Sequence, residues 1–247
     1  MARQQVVEVR IQEQRLQQLK DKLLSSGNGL PEGVEWLSRF EVLMAALLCA
    51  QREAGHFLSS PTHRLHVACD LRGRAERFPA DYFGNAAFDF HKDIELPPLP
   101  SSSSLSLVVS EDMIKTAAVE LHNMIRAGLA DPEDICKTKD WYEAARHLGY
   151  KNTYNVWEPV MMDIVRGTGS FVNNWGPRFL EVSMGAPQKA TSMAVYFGVI
   201  QNAIVQVPRH RESGDSTIYL AMPFACADKF VALCEEKKEL LPFEIVQ

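Results

Sequence analysis

The stretch His66-Val67-Ala68-Cys69-Asp70 sets a histidine four residues ahead of an aspartate, two residue types that can together hold and move a proton as a general base. Residues 65 to 70 alternate, however, with Leu65, Val67 and Cys69 on one side and His66, Ala68 and Asp70 on the other, the period of a strand. Strand rise would hold His66 and Asp70 about 13 Å apart, too far for a shared proton. The expectation is therefore a strand histidine facing a helix or solvent, with Asp70 serving another purpose.

The remaining histidines offer no clearer centre. His63, His66 and Cys69 follow a spacing of three that imitates a metal site, but a strand turns the middle residue to the opposite face. His210 lies in "PRHRESGD", read as a solvated hairpin tip, and the sequence names no partner for His91, His122 or His147. Cys49, Cys69, Cys136, Cys226 and Cys234 form no CxxC pair and are odd in number. They read as reduced, mostly buried thiols, with no metal ligand set.

The elements that would position these residues follow from periodicity. "QVVEVR" reads as a strand, and the helix after it carries Leu16, Leu19 and Leu23 at helical spacing. "SRFE" is a capping box through Ser38 and Glu41, predicting a helix with Phe40, Leu43, Leu47 and Ala50 on one buried face. After the 65–70 strand come a Gly-Asn bend with another strand, then a flexible Pro/Ser-rich loop at 97–107. Acidic Glu111 and Asp112 open a helix over 111–128, followed by a short helical piece from Trp141 to His147. Strands follow through "FVNNW", "SMAVYFGVI", "AIVQVP" and "STIYLAMP", and the last element is a helix from Pro223 with Phe230 and Cys234 inward. Without a regular βαβ alternation, these elements suggest an α/β or α+β layer and not a doubly wound sheet, and the length fits one large domain or two small ones.

Composition narrows the function. Residues of hydrophobic type make up 46% of the 247, enough for a sizeable core, and the formal charge is -5 without a long basic run, which argues against a nucleic-acid partner. No stretch approaches the ~20 apolar residues of a membrane span, and no signal peptide opens the chain, so a soluble cytoplasmic protein is expected.

In order, these landmarks resemble the C-terminal half of the BAHD acyltransferases, within the chloramphenicol acetyltransferase-like superfamily, which implies an α/β fold of mixed α+β layers, a mixed sheet with flanking helices, in a single domain over 1–247. "RIQEQRLQQLKDKL" resembles the helix after the family's crossover, and "LSRFEVLMAALLCAQREA" its Ser-x-Phe-Glu-Val-Leu-x-Ala-Leu helix. "CDLRGR" resembles the Asp-x-Arg-x-Arg strand end, "DYFGNAAF" the Gly-Tyr-Phe-Gly-Asn-Ala segment, and "VNNWGPRFLEVSMGAP" the strand running into DFGWG. "AIVQVPRHRESGDSTIYLAMP" resembles the closing hairpin and last strand.

The resemblance implies an enzyme that moves an acyl group from acyl-CoA, a co-substrate and not a tightly bound cofactor, to a hydroxyl or amine of a small-molecule acceptor. In the family the catalytic HHxxxDG lies in the N-terminal half, and here Leu71 stands where that motif's glycine would be. The resemblance assigns Asp70 and Arg72 a structural role. It makes Asn173 an oxyanion donor and Trp175 a wall of the substrate pocket. Gly185, in Ser183-Met184-Gly185-Ala186-Pro187, is the glycine that survives of DFGWG. One reading is thus a C-terminal domain inactive without an N-terminal half. A second is a non-catalytic descendant that binds a ligand or partner. Either predicts a large apolar face, hence self-association or instability in isolation. A third reading, an esterase or transferase built on His66, is the weakest.

Overall fold

The computed structural model describes residues 4–25, 29–56, 62–82, 87–95, 109–128, 169–174, 202–208 and 213–246, with 131, 133, 136, 137, 140, 144 and 147 described singly. Strand β1 spans Gln4–Ile11, and its Val7, Val9 and Ile11 alternate into the core. Helix α1, Glu13–Ser25, buries the Leu16, Leu19 and Leu23 stripe that the spacing predicts.

Helix α2, Arg39–Glu53, starts at the capping box: Ser38 Oγ accepts from the Glu41 N–H at 3.1 Å, and the Glu41 carboxylate accepts from the Ser38 N–H at 2.5 Å. The one-faced burial expected of this helix needs correction. Every side chain from Glu41 to Arg52 is buried, while Phe40 is only partly so. The helix packs against α1 (Glu13–Ser25), helix α3 (Glu111–Gly128) and helix α4 (Phe224–Glu236), so it has no solvent side. Ala45, Ala46 and Ala50 are small enough to let neighbours close in all round.

The strands form one seven-stranded mixed sheet. Besides β1 they are β2 (Thr62–Asp70), β3 (Ala87–Glu95), β4 (Gly169–Asn174), β5 (Ala203–Pro208), β6 (Ser216–Pro223) and β7 (Phe243–Val246), in the order β3-β2-β4-β5-β6-β1-β7. β2, β4 and β5 run parallel, and the other pairs are antiparallel. β7 is a correction to the expectation that the helix from Pro223 ends the pattern. Its four residues are too few for a periodic signal, and they are held by pairing with β1 and by Phe243 stacking on Phe230, ring centroids 6.4 Å apart.

The main core fills the space between the helices and one sheet face, where Leu65, Val172, Ile204, Ile218 and Val9 meet Leu43, Leu47, Ile114 and Phe230. Ala203, Val205 and Val207 form a smaller cluster on the other face. All five cysteines are free thiols, and burial pushes Cys49 and Cys234 up to about 12. Ala144 and His147 are helical, while Trp141, the 97–107 loop and "SMAVYFGVI" lie outside the described residues. Among those described, no helix is long and apolar enough to cross a membrane.

Candidate functional site

In open sheets with parallel strands, ligands gather beyond the carboxyl ends of those strands. Here that end carries Asp70, the last residue of β2, Arg72 just beyond it, and Asn173 at the end of β4. His66 of β2 aligns with Phe171 of β4, and Val67 with Val172, which brings Ala68 level with Asn173. Strand spacing and rise then put the Cα atoms of Asn173 and Asp70 about 8 Å apart on one face, the face away from the main core. The register therefore gathers residues a hundred positions apart in sequence.

The chain leaves β2 through a tight turn. The Asp70 carboxylate accepts from the Arg72 backbone N–H at 3.1 Å and from Arg72 Nε at 3.0 Å, an Asx turn closed by a salt bridge. Burial alone would raise the Asp70 carboxyl, but the two Arg72 hydrogen bonds and the charges of Arg72 and Arg74 outweigh it and hold it below the usual range. The Arg74 N–H donates to Leu71 O at 3.0 Å, and Gly73 sits at φ 69°, the left-handed region that glycine reaches without strain. Both side chains of the pair remain about half exposed. Asn173 is partly buried, and Trp175 and Gly185 lie outside the described residues.

His66 does not face solvent. It is fully buried in β2 on the side away from the main core, with its ring 5.0 Å from that of His91, its cross-strand neighbour. His66 and Asp70 stay at opposite stages of one strand, so the structure does not bring them together. Among the described residues no group of three His, Cys, Asp or Glu is placed to hold a metal ion.

At the other end of the parallel strands lies a buried polar cluster that sequence reasoning missed. His63 Nε2 lies 3.0 Å from Ser170 Oγ, both on the core face, and the His56 Nε2–H donates to Asn202 Oδ1 at 2.9 Å. All four residues are buried. Desolvation lowers His56 to about 4, and desolvation with the charges of His56, Arg52 and His66 lowers His63 to about 3, so both imidazoles are neutral near pH 7. A histidine beside a serine hydroxyl is the geometry of an activated nucleophile. Ser170 is 0% exposed, so the described residues leave a substrate no access to it. The partners are 107 and 146 residues apart, and no local signal links them.

Residues 1–122 match the family model described as the Transferase family. No curated protein sequence matches the chain. Among solved structures, TRI101 of F. sporotrichioides, in complex with coenzyme A and T-2, aligns with 96% of this chain and 51% of its own, at TM-score 0.68 and 15% identity. TRI101 of F. graminearum with coenzyme A and deoxynivalenol aligns with 100% of this chain and 50% of its own, at TM-score 0.58 and 12% identity. Vinorine synthase aligns with 95% and 48%, at TM-score 0.58 and 14% identity. At such identities the fold is what is shared, and this chain spans about half the length of each of these structures. Residues 1–122 thus carry the pattern of the transferase family, and the chain shares over nearly its whole length the fold of about half of TRI101 and of vinorine synthase.

Proposed function

We propose that this chain is the C-terminal half of an acyl-CoA-dependent acyltransferase that acylates a hydroxyl or amine of a small molecule, and that it turns over only with a half supplying the general-base histidine. The carrying observation is the juxtaposition of Asn173 with the Asp70–Arg72 turn at the carboxyl ends of two adjacent parallel strands. A histidine brought to that edge would remove the acceptor's proton as it attacks the thioester carbon, and the thiolate of CoA would leave. The Asn173 amide would donate to the carbonyl oxygen as charge develops on it, an interaction worth about 2.7–4 kcal/mol when preorganised. The solved structures of TRI101 with coenzyme A, aligned over nearly all of this chain, support coenzyme A thioesters as the donor class.

The departure of Ser183-Met184-Gly185-Ala186-Pro187 from DFGWG favours a second reading, a descendant that binds ligand or partner without catalysis. The test is free-thiol release from acetyl-CoA in the presence of an acceptor alcohol panel, with the purified chain alone and co-expressed with the N-terminal half of F. sporotrichioides TRI101. Turnover only in the co-expressed pair, lost in Asn173→Ala, is expected. Turnover by the chain alone overturns the half-enzyme reading. Stable pairing of the halves with coenzyme A binding but no turnover supports the second reading instead.

A further inference from the structure

Three contacts bring the end of α2 to the starts of β4 and β5: His56 with Asn202, Asn202 with Phe171, and His63 with Ser170. The last turn of α2 carries Gln51 and Arg52 beside this cluster, and helical spacing sets Gln51 on the face of Leu43 and Leu47, which meets the sheet. Arg52 acts on His63 as a neighbouring positive charge. Gln51 is 0% exposed and Arg52 5%, yet Arg52 Nε and Nη1 and both side-chain amide atoms of Gln51 have no hydrogen-bond partner. The carboxylates nearby are engaged elsewhere. Glu53, on the same turn, accepts from the Val109 N–H, and Asp93 holds Arg64 through two hydrogen bonds at 2.8 and 3.0 Å. Burial holds the Arg52 guanidinium below its ordinary range, and the Cys49 thiol that opposes this is itself pushed up to about 12, so it is uncharged near pH 7.

A buried cation without an anion is strongly destabilising, because nothing offsets the loss of its hydration. We infer that the last turn of α2 binds one small monovalent anion, of the size of chloride, held by the Arg52 guanidinium and the Gln51 side-chain N–H. One negative charge is what the cluster balances: His56 and His63 are neutral near pH 7, which leaves Arg52 as its one cation among the described residues. The size follows from enclosure. A partner's side chain or a membrane surface has no path to atoms this deeply buried, whereas a free ion is enclosed as the chain folds. Hydrogen bonds from a guanidinium to an anion are about twice as strong as neutral ones, which suits a site with so few donors. None of these residues is assigned to acyl transfer, so the inference stands or falls separately from that reading.

The test is urea denaturation of the full chain near pH 7 at constant ionic strength, with sodium gluconate, whose anion is too bulky for the site, exchanged stepwise for sodium chloride. For one ion bound to the folded chain and none to the unfolded, the folding equilibrium constant rises about tenfold with each tenfold rise in chloride above half-saturation. That slope is expected of the wild type. Arg52→Met replaces the charge with an apolar side chain, so it should show no chloride dependence and be at least as stable as the wild type in gluconate. Gln51→Leu should keep the slope and move half-saturation to roughly tenfold higher chloride, which keeps the inference testable if Arg52→Met fails to fold. A wild-type equilibrium constant indifferent to the exchange overturns the inference. An equal response in Arg52→Met also overturns it and assigns the effect to salt acting on the surface. Arg52→Met less stable than the wild type by one margin in both salts overturns it as well, because the guanidinium is then satisfied within the chain.

Discussion

His56 and Asn202 meet across 146 residues of sequence: the imidazole N–H donates to the Asn202 side-chain oxygen at 2.9 Å, and Asn202 holds φ 53° at the start of β5. Asparagine tolerates this left-handed conformation better than most residues, and its own carbonyl accepts the Phe171 N–H of β4 at 3.3 Å. One residue thus fixes the entry of β5 and ties it to the end of α2.

Asn202→Ala loses both the acceptor for a buried N–H and the tolerance for positive φ. A loss of roughly 2–4 kcal/mol in urea denaturation is expected. Asn202→Gly keeps the conformation and loses only the hydrogen bond, so it should cost less. A glycine variant as unstable as the alanine one would show that the backbone conformation contributes nothing.

Acid should unfold this protein through its buried imidazoles. His56 and His63 have folded values of about 4 and about 3, below the ordinary 6.5, so between these values the unfolded chain binds more protons than the folded one. The stability is fully present above about pH 6.5 and is lost as pH falls towards the folded values, on the order of 3–5 kcal/mol for each group. Urea midpoints should be flat from pH 7 to 8 and drop steeply between pH 6.5 and 4. His63→Asn should reduce the slope, and an unaltered slope in that variant would assign the acid sensitivity elsewhere.

Glu41 caps α2 and also lies 3.3 Å from His122 Nδ1, both side chains buried. Ser38→Ala removes only the cap and should cost about 1 kcal/mol. Glu41→Ala should cost more, because it also strands a buried imidazole, and a double-mutant cycle with His122→Ala should return a coupling of roughly 0.5–3 kcal/mol. Additive losses would show that the two side chains do not interact.

Arg72 and Asp70 form a half-exposed pair, whose contribution to stability is about 0–1 kcal/mol. Arg72→Ala should leave the urea midpoint almost unmoved while weakening co-purification with a histidine-bearing N-terminal half. If the midpoint falls by several kcal/mol equivalents, the pair belongs to the fold of this chain and not to docking.

Ser170→Ala separates a structural from a catalytic role for the buried His63–Ser170 pair. The substitution leaves His63 without its hydroxyl partner, and a loss of roughly 1–3 kcal/mol is expected. Any hydrolysis of p-nitrophenyl acetate by the protein should be unchanged, and its disappearance would reveal access to Ser170 that the buried geometry denies.

The sequence by itself determined the local elements. The Leu16, Leu19 and Leu23 stripe, the Ser38–Glu41 cap and the alternation in β2 each depend on neighbours within a few residues, and all three elements stand where periodicity puts them. It also determined the order of motifs that resembles the BAHD acyltransferases. Only the tertiary structure decided which strands lie side by side, because parallel pairing of β2 with β4 joins segments a hundred residues apart without any local signal. That pairing puts Asn173 beside the Asp70–Arg72 turn at one end of the sheet. At the other it buries His56, His63, Ser170 and Asn202, polar residues that the sequence alone would leave in water. β7 was illegible for the same reason: four residues carry little period of their own, and it is the open edge of β1 that makes them a strand.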